Sequence, residues 1–342
     1  MTGELFLDTE RHDLQLYKDS VVIDNLQASM WTGEYFQTVL QAGVTAVNKT
    51  VAGGGGYDNL SSSILKFAEW LRKIEEHRDV ACVASKIEDI HNAKRDSKVV
   101  YILGFQDTLM IEKNLDLLDL FYRLGVRIIQ LTYNTKNLVG DGCGERTDCG
   151  LSRFGLEVID RMNSLGIVVD IGHVGDRTGN EAIEHGKVVV CSHANARSLC
   201  NNVRNKTDET IKALAEKDGV IGVNAYPSFV KWTKTEKGER PTVEDLLDHV
   251  DYIVKLVGVD HVGLGLDLID NWPIDRHRSL DRRPDIWGKP SPKGTYDYPV
   301  GIDNVTGIVN IARGLIKRGY SDQDVKKILG ENWIKVYKKV LR

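Results

Sequence analysis

Two histidines in this chain each close a run of apolar residues. His173 ends the segment IVVDIGH, His193 ends the segment VVVCSH, and Asp267 ends a third run, HVGLGLD. Neutral imidazole and carboxylate groups are suitable ligands for zinc and similar divalent cations, and histidine often serves as a general acid or base. The alternative is that each histidine is a hydrogen-bonded polar residue at a strand end. The pattern therefore indicates either a metal or catalytic centre, or ordinary polar strand ends.

Further polar side chains follow neighbouring apolar runs. Gln106 follows VVYILGF, Tyr133 and Asn134 lie at the end of VRIIQLTYN, and Lys49 lies near the end of VTAVNKTV. Phenol and amide groups can donate hydrogen bonds to a substrate or to a developing oxyanion. Three roles remain open for Lys49: a carbamate ligand, a Schiff base, or a cation that forms a salt bridge or faces solvent.

These residues would meet if the apolar runs formed one closed parallel sheet. Eight continuously apolar, β-rich runs alternate with helical patterns, as is typical of strands buried on both faces. The order predicts an α/β fold, a (β/α)₈ TIM-type barrel, with residues 1–342 in a single domain. Chemistry in such barrels takes place at the C-terminal ends of the strands. The predicted strands are residues 21–24, 44–51, 99–105, 126–133, 167–173, 188–193, 220–226 and 261–267.

Two loops should lie on the catalytic side of such a barrel. Asn271–Pro299 follows the eighth predicted strand and would cover the mouth. NLVGDGCGERTDCGLS follows the fourth, and is either a Gly-rich surface loop with solvated charges or a lid that supplies an acid, a thiol or a metal ligand. Cys143 and Cys149 of this loop could pair. The odd number of five cysteines, without zinc-ribbon spacing, instead predicts reduced thiols.

Composition narrows the class of partner. The net charge of −4 over 342 residues, with scattered Lys and Arg, argues against nucleic acid or an anionic membrane as the main partner. No apolar run reaches the roughly 18 residues that a membrane span needs. The first 20 residues are charged and lack the apolar block of a signal peptide, which predicts a cytoplasmic protein.

Several blocks of this sequence match one known family. They include LGVRIIQLTYN, GLSRFGLEVIDRMNSLGIVVDIGHV, CSHANARSLCNNVRNKTDETIKALAEKDGVIGVNAYPSF and DHVGLGLDLID. On these blocks the chain resembles the renal (membrane) dipeptidases, metallopeptidase family M19, a branch of the amidohydrolase-type barrels. The order of DIGHV, SHANAR and RNKTD is specific to that family. The resemblance implies a barrel hydrolase with two zinc ions bridged by one Glu, and it suggests a homodimer.

Four of the family's functional positions are retained. The two histidine ligands of one metal fall on His173 and His193, and the aspartate at the end of strand eight falls on Asp267. The arginine that holds the substrate's carboxylate falls on Arg204, which could alternatively be a surface residue paired with Asp208. The resemblance therefore predicts a small carboxylated substrate, with Asp267 as the proton shuttle.

Other family positions are changed. The His-x-Asp pair of strand one falls on Leu26 and Ala28, the bridging Glu on Gln106, and a substrate-contacting His on Tyr133. One metal site therefore lacks its ligands, and the bridge is neutral. We expect a single divalent ion, preferably zinc, that is weakly bound or absent. The candidate ligands are His173, His193, Gln106 and Asp267.

Three functions fit these residues. The first is a dipeptidase-like metallohydrolase that cleaves an amide bond in a small dipeptide or N-acyl amino acid. The second is a metal-free or single-metal lyase or isomerase, with His173 and His193 as acid and base and Tyr133 as donor to an oxyanion. The third is a non-catalytic binding protein of the same fold. The residues predicted to contact substrate are Arg204, Tyr133 and Asn134.

Overall fold

The computed structural model of the protein describes residues 12–53, 58–231 and 240–342. Residues 1–11, on which the prediction of the compartment partly rests, lie outside the described residues. Within the described part of the chain, no helix has the length and apolar character needed to cross a membrane. No disulfide joins any of the five cysteines, all of which lie in the described part of the chain, so Cys143 and Cys149 do not pair.

Eight parallel strands form a nearly closed barrel. Their order around the barrel is β7-β6-β5-β4-β2-β1-β9-β8, and a parallel bridge between Cys191 and Ile221 links the two ends of this series. The (β/α)₈ prediction is therefore confirmed. The strands are β1 (Ile23–Gln27), β2 (Ala46–Ala52), β3 (Ala81–Val83), β4 (Val99–Phe105), β5 (Val126–Gln130), β6 (Val168–Asp170), β7 (Val189–Val190), β8 (Ile221–Val223) and β9 (Val262–Leu264).

Helices follow the strands along the chain. Residues 12–19 are helical as well, ahead of β1. The remaining α-helices are α1 (Gly33–Gln41), α2 (Leu60–Glu76), α3 (Ile87–Asn92), α4 (Asp116–Arg123), α5 (Arg153–Leu165), α6 (Asp176–His185), α7 (Asp208–Glu216), α8 (Pro227–Val230), α9 (Val243–Val257), α10 (Ile274–Arg278), α11 (Pro284–Trp287), α12 (Val309–Lys317), α13 (Asp322–Lys326) and α14 (Asn332–Tyr337).

Local sequence explains where these helices begin and end. The side chain of Ser152 accepts a hydrogen bond from the backbone N–H of Gly155 and caps the start of α5. Gly166 ends the same helix with φ 78°, a left-handed conformation that glycine adopts without a Cβ clash. The buried face of α5, which includes Val158 and Met162, packs on the sheet.

Two details of the strand prediction were wrong. Residues 81–83 form a ninth strand, β3, that pairs with β4 beside the barrel and is only three residues long. The strands before the histidines also end earlier than the apolar pattern predicts, at Asp170 and Val190. His173 and His193 therefore lie in the loops just after β6 and β7, where the backbone has already left the sheet ladder.

The amino-terminal half of the barrel is filled by apolar side chains. Ile23, Val100, Ile128 and Val168 point into one buried cluster together with Trp333 of α14. The indole Nε1 of Trp333 donates to the carbonyl of Leu264 at 3.0 Å, so its polar atom is satisfied. Because apolar side chains fill this end of the barrel, the polar side chains lie at the opposite end, where the strands have their carboxyl ends.

Candidate active site

The two histidines meet at the barrel mouth. Their Nε2 atoms lie 3.0 Å apart, and both side chains are almost fully buried, with 1% exposure at His173 and 0% at His193. The loops after β6 and β7 bring them together, because adjacent parallel strands end at the same edge of the sheet.

Asn134 fixes the orientation of His173. The Oδ1 atom of Asn134 lies 2.7 Å from Nδ1 of His173 and can only accept, so Nδ1 carries the proton and Nε2 keeps a lone pair. The thiol of Cys143 donates to the same oxygen at 3.2 Å. Tyr133 stacks on the imidazole with ring centroids 3.9 Å apart. Asn134 itself has φ 61°, one of the few left-handed residues besides glycine.

Ser192 and Asp170 fix His193 in the same way. The Ser192 hydroxyl donates to Oδ2 of Asp170 at 2.5 Å, so its oxygen accepts from Nδ1 of His193, also at 2.5 Å. Asp170 is held in turn by the backbone N–H groups of Gly172 and Ser192. The sequence interpretation did not single out this pair. The signal was an aspartate and a serine in the adjacent segments VVD and CSH, which end neighbouring strands.

Both imidazoles are neutral. Burial holds the pKa of His173 and of His193 well below the ordinary value, and the nearby cations Arg204 and Lys206 lower both further. The hydrogen bonds at Nδ1 leave two Nε2 lone pairs facing each other at 3.0 Å. Such a contact is repulsive unless an electropositive group lies between or beside the two nitrogens.

Asp267 lies at the mouth after β9, which only β8 separates from β7. It follows β9 with φ 57°, and its Oδ2 accepts from Nδ2 of Asn224 at 3.3 Å. Burial raises the pKa of Asp267 to about 7, although Arg204 and Asn224 act in the opposite direction. The Tyr298 hydroxyl donates to its backbone carbonyl. A carboxyl group with this pKa can both accept and return a proton near neutral pH.

Arg204 lies inside the mouth, and its predicted surface alternative is wrong. Its side chain has 0% exposure, Nη1 donates to the carbonyl of Gly172 at 3.0 Å, and Nη2 donates to the carbonyl of His193 at 3.2 Å. Its Nε is buried without a partner among the described residues. Asp208 instead accepts from Ser198 and Tyr252. Arg204 thus retains an unused donor beside the histidines.

Both predicted covering loops reach the site. Trp287, within Asn271–Pro299, has its ring centroid 6.0 Å from that of His173 and 6.3 Å from that of Tyr133, so this segment covers the mouth as predicted. In the loop after β5, Glu145 is exposed, whereas the other two acids form hydrogen bonds within the protein. Asp141 is 1% exposed and accepts from the N–H of Cys149, while Asp148 accepts from Thr178 at the start of α6.

Lys49 does not form the salt bridge that was one of its predicted roles. It lies near the end of β2, with Nζ 3.4 Å from the carbonyl of Ser29 and 5.3 Å from the centre of the Trp70 ring. Among the described residues, no carboxylate lies in ion-pair contact with it.

Comparison with known proteins assigns this architecture to a family. The profile of membrane dipeptidases, peptidase family M19, matches residues 25–274, a span that includes both histidines and Asp267. The chain belongs to the membrane dipeptidase family. The resemblance inferred from the sequence blocks is therefore confirmed.

Curated relatives of this M19 protein carry dipeptidase names. It is 29% identical over 272 residues to dipeptidase tcpJ from Claviceps purpurea, covering 79% of this chain and 57% of the relative. It is 30% identical over 252 residues to an uncharacterized dipeptidase from Schizosaccharomyces pombe, covering 72% of this chain and 54% of the relative. The chain thus spans little more than half the length of these relatives.

Solved structures show the same fold. An amidohydrolase from Pseudomonas aeruginosa is 33% identical with a TM-score of 0.87, over 96% of this chain and 99% of that one. A Rhodobacter sphaeroides metallopeptidase, bound to a phosphinate mimic of L-Ala-D-Ala, is 18% identical with a TM-score of 0.76, over 94% and 100% of the two chains. At that lower identity the likeness concerns the fold alone.

M19 membership implies a divalent metal, and His173 and His193 fit two ligands of one such ion. Two tetrahedral zinc ligands with Zn–N near 2.0–2.1 Å are about 3.3 Å apart, close to the 3.0 Å between the Nε2 atoms. Each imidazole also has the second hydrogen bond at Nδ1 that metal-bound histidines have.

Gln106 is the nearest further donor. Its Nε2 lies 3.4 Å from Nε2 of His193, and rotation of the amide would present Oε1 there instead. Asp267 does not complete this site, because no three His, Cys, Asp or Glu side chains of the described residues are grouped around one point. Leu26 and Ala28 offer no ligand for a second ion.

Proposed function

We propose that the protein is a dipeptidase-like hydrolase that cleaves the amide bond of a small dipeptide or N-acyl amino acid, with one divalent ion at a reduced metal site. The observation that carries this proposal is the pair of opposed, neutral histidine Nε2 atoms at 3.0 Å within an M19 barrel. His173 and His193 would hold the ion, with Gln106 as a neutral third donor. Zinc is the metal we expect.

Such an ion, when bound, lowers the pKa of a water and polarises a carbonyl group. Asp267 would accept a proton from the attacking water and return it to the leaving amine, since its pKa is about 7. Burial holds the pKa of the Tyr133 phenol above the ordinary value, so the phenol keeps its proton and can donate to an oxyanion.

Substrate binding would involve Arg204, Tyr133 and Asn134. The unpartnered Nε–H of Arg204 provides a donor for the substrate's carboxylate. Asn134 would act through His173, because its side-chain oxygen is already committed to the imidazole and to Cys143. Trp287 and the Tyr133 ring would limit the entry of water.

The same contact supports a second candidate function. Two imidazoles 3.0 Å apart can also share one proton, which suits a metal-free lyase or isomerase that acts on a carboxylated substrate. Turnover of a panel of dipeptides and N-acyl amino acids, with and without added zinc, separates the two. Zinc-dependent amide cleavage supports the hydrolase, and metal-independent elimination or isomerisation supports the alternative.

Three further features belong to this proposal. We infer a cytoplasmic homodimer in which residues 1–342 form a single domain. Light scattering of the purified protein tests the dimer, and limited proteolysis followed by thermal unfolding tests the single domain. Two separable unfolding transitions would contradict the latter.

A further inference from the structure

A cavity of about 430 Å³ opens at the carboxyl ends of β1, β2 and β4, beside the histidines. Its wall includes Ala28 and Gln106, two of the positions at which the family's metal ligands are replaced. Gln106 also reaches His193, with 3.4 Å between the two Nε2 atoms. Gln106 therefore contacts both the cavity and His193.

The charges around this cavity do not balance. Lys66 pairs with Asp58 at 2.6 Å and Lys73 pairs with Glu69 at 2.9 Å, so both carboxylates of the lining are neutralised. Two further cations remain, in a protein whose net charge is −4. The ionisable residues of the lining are Lys49, Asp58, Lys66, Glu69, Lys73 and Arg276.

Lys49 is the first of the unmatched cations. Its amine makes one long contact, 3.4 Å to the carbonyl of Ser29, and otherwise faces the Trp70 ring. Burial, together with the charges of Arg276 and Lys73, lowers its pKa to about 7. Lys49 is half-buried in the cavity wall and has no carboxylate partner among the described residues, which leaves its amine available to an anionic ligand.

Arg276 is the second unmatched cation. Its guanidinium stacks on Trp272 at 4.0 Å, and the indole of Trp272 is anchored by a 2.8 Å hydrogen bond to the carbonyl of Ala28. The Arg276 side chain is otherwise exposed, and among the described residues no carboxylate forms an ion pair with it. The group is thus positioned by stacking while its donors remain available.

We propose that this cavity binds an anionic group of the substrate, a carboxylate or a phosphate, between Lys49 and Arg276. In combination with the proposed function, on which this assignment of substrate class rests, the substrate would carry two acidic groups. One would lie at Arg204. The other, on an acidic amino-terminal residue or a dicarboxylic acyl group, would extend past Gln106 into the cavity.

Calorimetric titration of the full-length protein tests the anion site without any need for turnover. The ligands are succinate, inorganic phosphate and neutral succinamide, and the variants are Lys49→Gln and Arg276→Gln. Lys73→Gln is the matched control, because it removes a cation of the same cavity that is already paired with Glu69. Succinate binding identifies a carboxylate site, and tighter phosphate binding identifies a phosphate site.

We expect an anion to bind the wild type and succinamide not to bind. Lys49→Gln and Arg276→Gln should each weaken binding about tenfold or more, as expected for loss of a hydrogen bond to a charged group, and Lys73→Gln by less than about threefold. Absence of anion binding, or equal effects in all three variants, would overturn the inference. If anion binding is absent, or if the three variants behave alike, while amide cleavage persists, the anion-site proposal fails and the hydrolase proposal stands. If anions bind but no amide is cleaved, only the hydrolase fails.

A stability measurement excludes a merely structural role. If Lys49 only supported the fold, Lys49→Met would lower the melting temperature. If Lys49 instead binds a ligand, Lys49→Met should leave the melting temperature unchanged or raise it. Succinate, which should stabilise the wild type, should then no longer stabilise the variant. A lower melting temperature with succinate stabilisation retained would contradict the proposal.

Discussion

The two halves of the barrel mouth differ in what holds their polar side chains. After β6 and β7, His173 and His193 are buried, neutral and fixed at Nδ1 by Asn134 and Ser192. After β1, β2 and β4, the side chains surround an open cavity, and Lys49 has one weak contact. We call these the histidine half and the cationic half.

We propose that this difference reflects divergence of the mouth from a two-metal centre. The histidine half keeps the lone pairs and secondary hydrogen bonds that a cation needs. In the cationic half, we infer from the matching sequence blocks that Ala28 and Gln106 replace acidic ligands, and Lys49 and Arg276 add positive charge. One half therefore suits a cation and the other an anion.

The largest effect should come from removing the histidine half. His173→Ala and His193→Ala should each lower kcat/KM by about 10³-fold or more while the barrel stays folded, since each deletes both a ligand and a possible acid or base. Steady-state kinetics and far-UV circular dichroism provide the measurements. Near-normal turnover in either folded variant would show that the histidines do not form one catalytic centre.

Replacement of Asp267 should have the next largest effect. Asp267→Asn removes the proposed proton shuttle, which is worth about 10²–10⁴-fold in rate. Because a base must be ionised, wild-type kcat/KM should rise with pH up to about 7, where the Asp267 carboxyl titrates. If Asp267→Asn remains highly active and its kcat/KM still rises with pH up to about 7, Asp267 takes no part in the mechanism.

The same carboxyl group makes a prediction about stability. Its pKa is raised from 3.8 in the unfolded chain to about 7 in the fold, so the native state holds the proton longer. Wild-type stability should therefore fall as pH rises from about 4 to 7. Urea denaturation at pH 5 and pH 8 should show a smaller loss for Asp267→Asn, and an identical loss would contradict the raised pKa.

Arg204→Lys should have an intermediate effect. Lysine cannot reproduce the planar set of donors, so binding of a carboxylate substrate should weaken by about 1.5–3 kcal/mol, or roughly tenfold to a hundredfold in Kd. The amidated form of the same substrate is the control and should be little affected. Equal loss for both forms, or for neither, would exclude Arg204 as the carboxylate anchor.

The smallest effect should come from rebuilding the cationic half. Leu26→His, Ala28→Asp and Gln106→Glu together restore the family's ligands and should raise the metal content. Adding Lys49→Gln should tighten the second ion by about tenfold, because it removes a repelling charge. Metal titration of both variants measures this, and a folded variant with an unchanged metal count would mean that the cavity differs beyond these side chains.

The sequence predicted the barrel because eight continuous apolar runs leave few other parallel-sheet folds. It also placed His173 and His193 on one edge, since adjacent strands end together. It could not predict that Ser192 and Asp170 orient His193, because that depends on loop geometry after short strands. Nor could it predict that Lys49 lacks a partner, since Asp58 and Glu69 become committed to other lysines only in the folded chain.

The most direct test of the contrast between the two halves is the metal content of the purified wild-type protein at saturation with zinc. Inductively coupled plasma mass spectrometry should find about one zinc per chain, lost in His193→Ala and unaffected by Lys49→Gln. Two zinc ions per chain would show that the cationic half still binds metal and would contradict the account. A value near zero would contradict the single-ion site and leave the metal-free reaction.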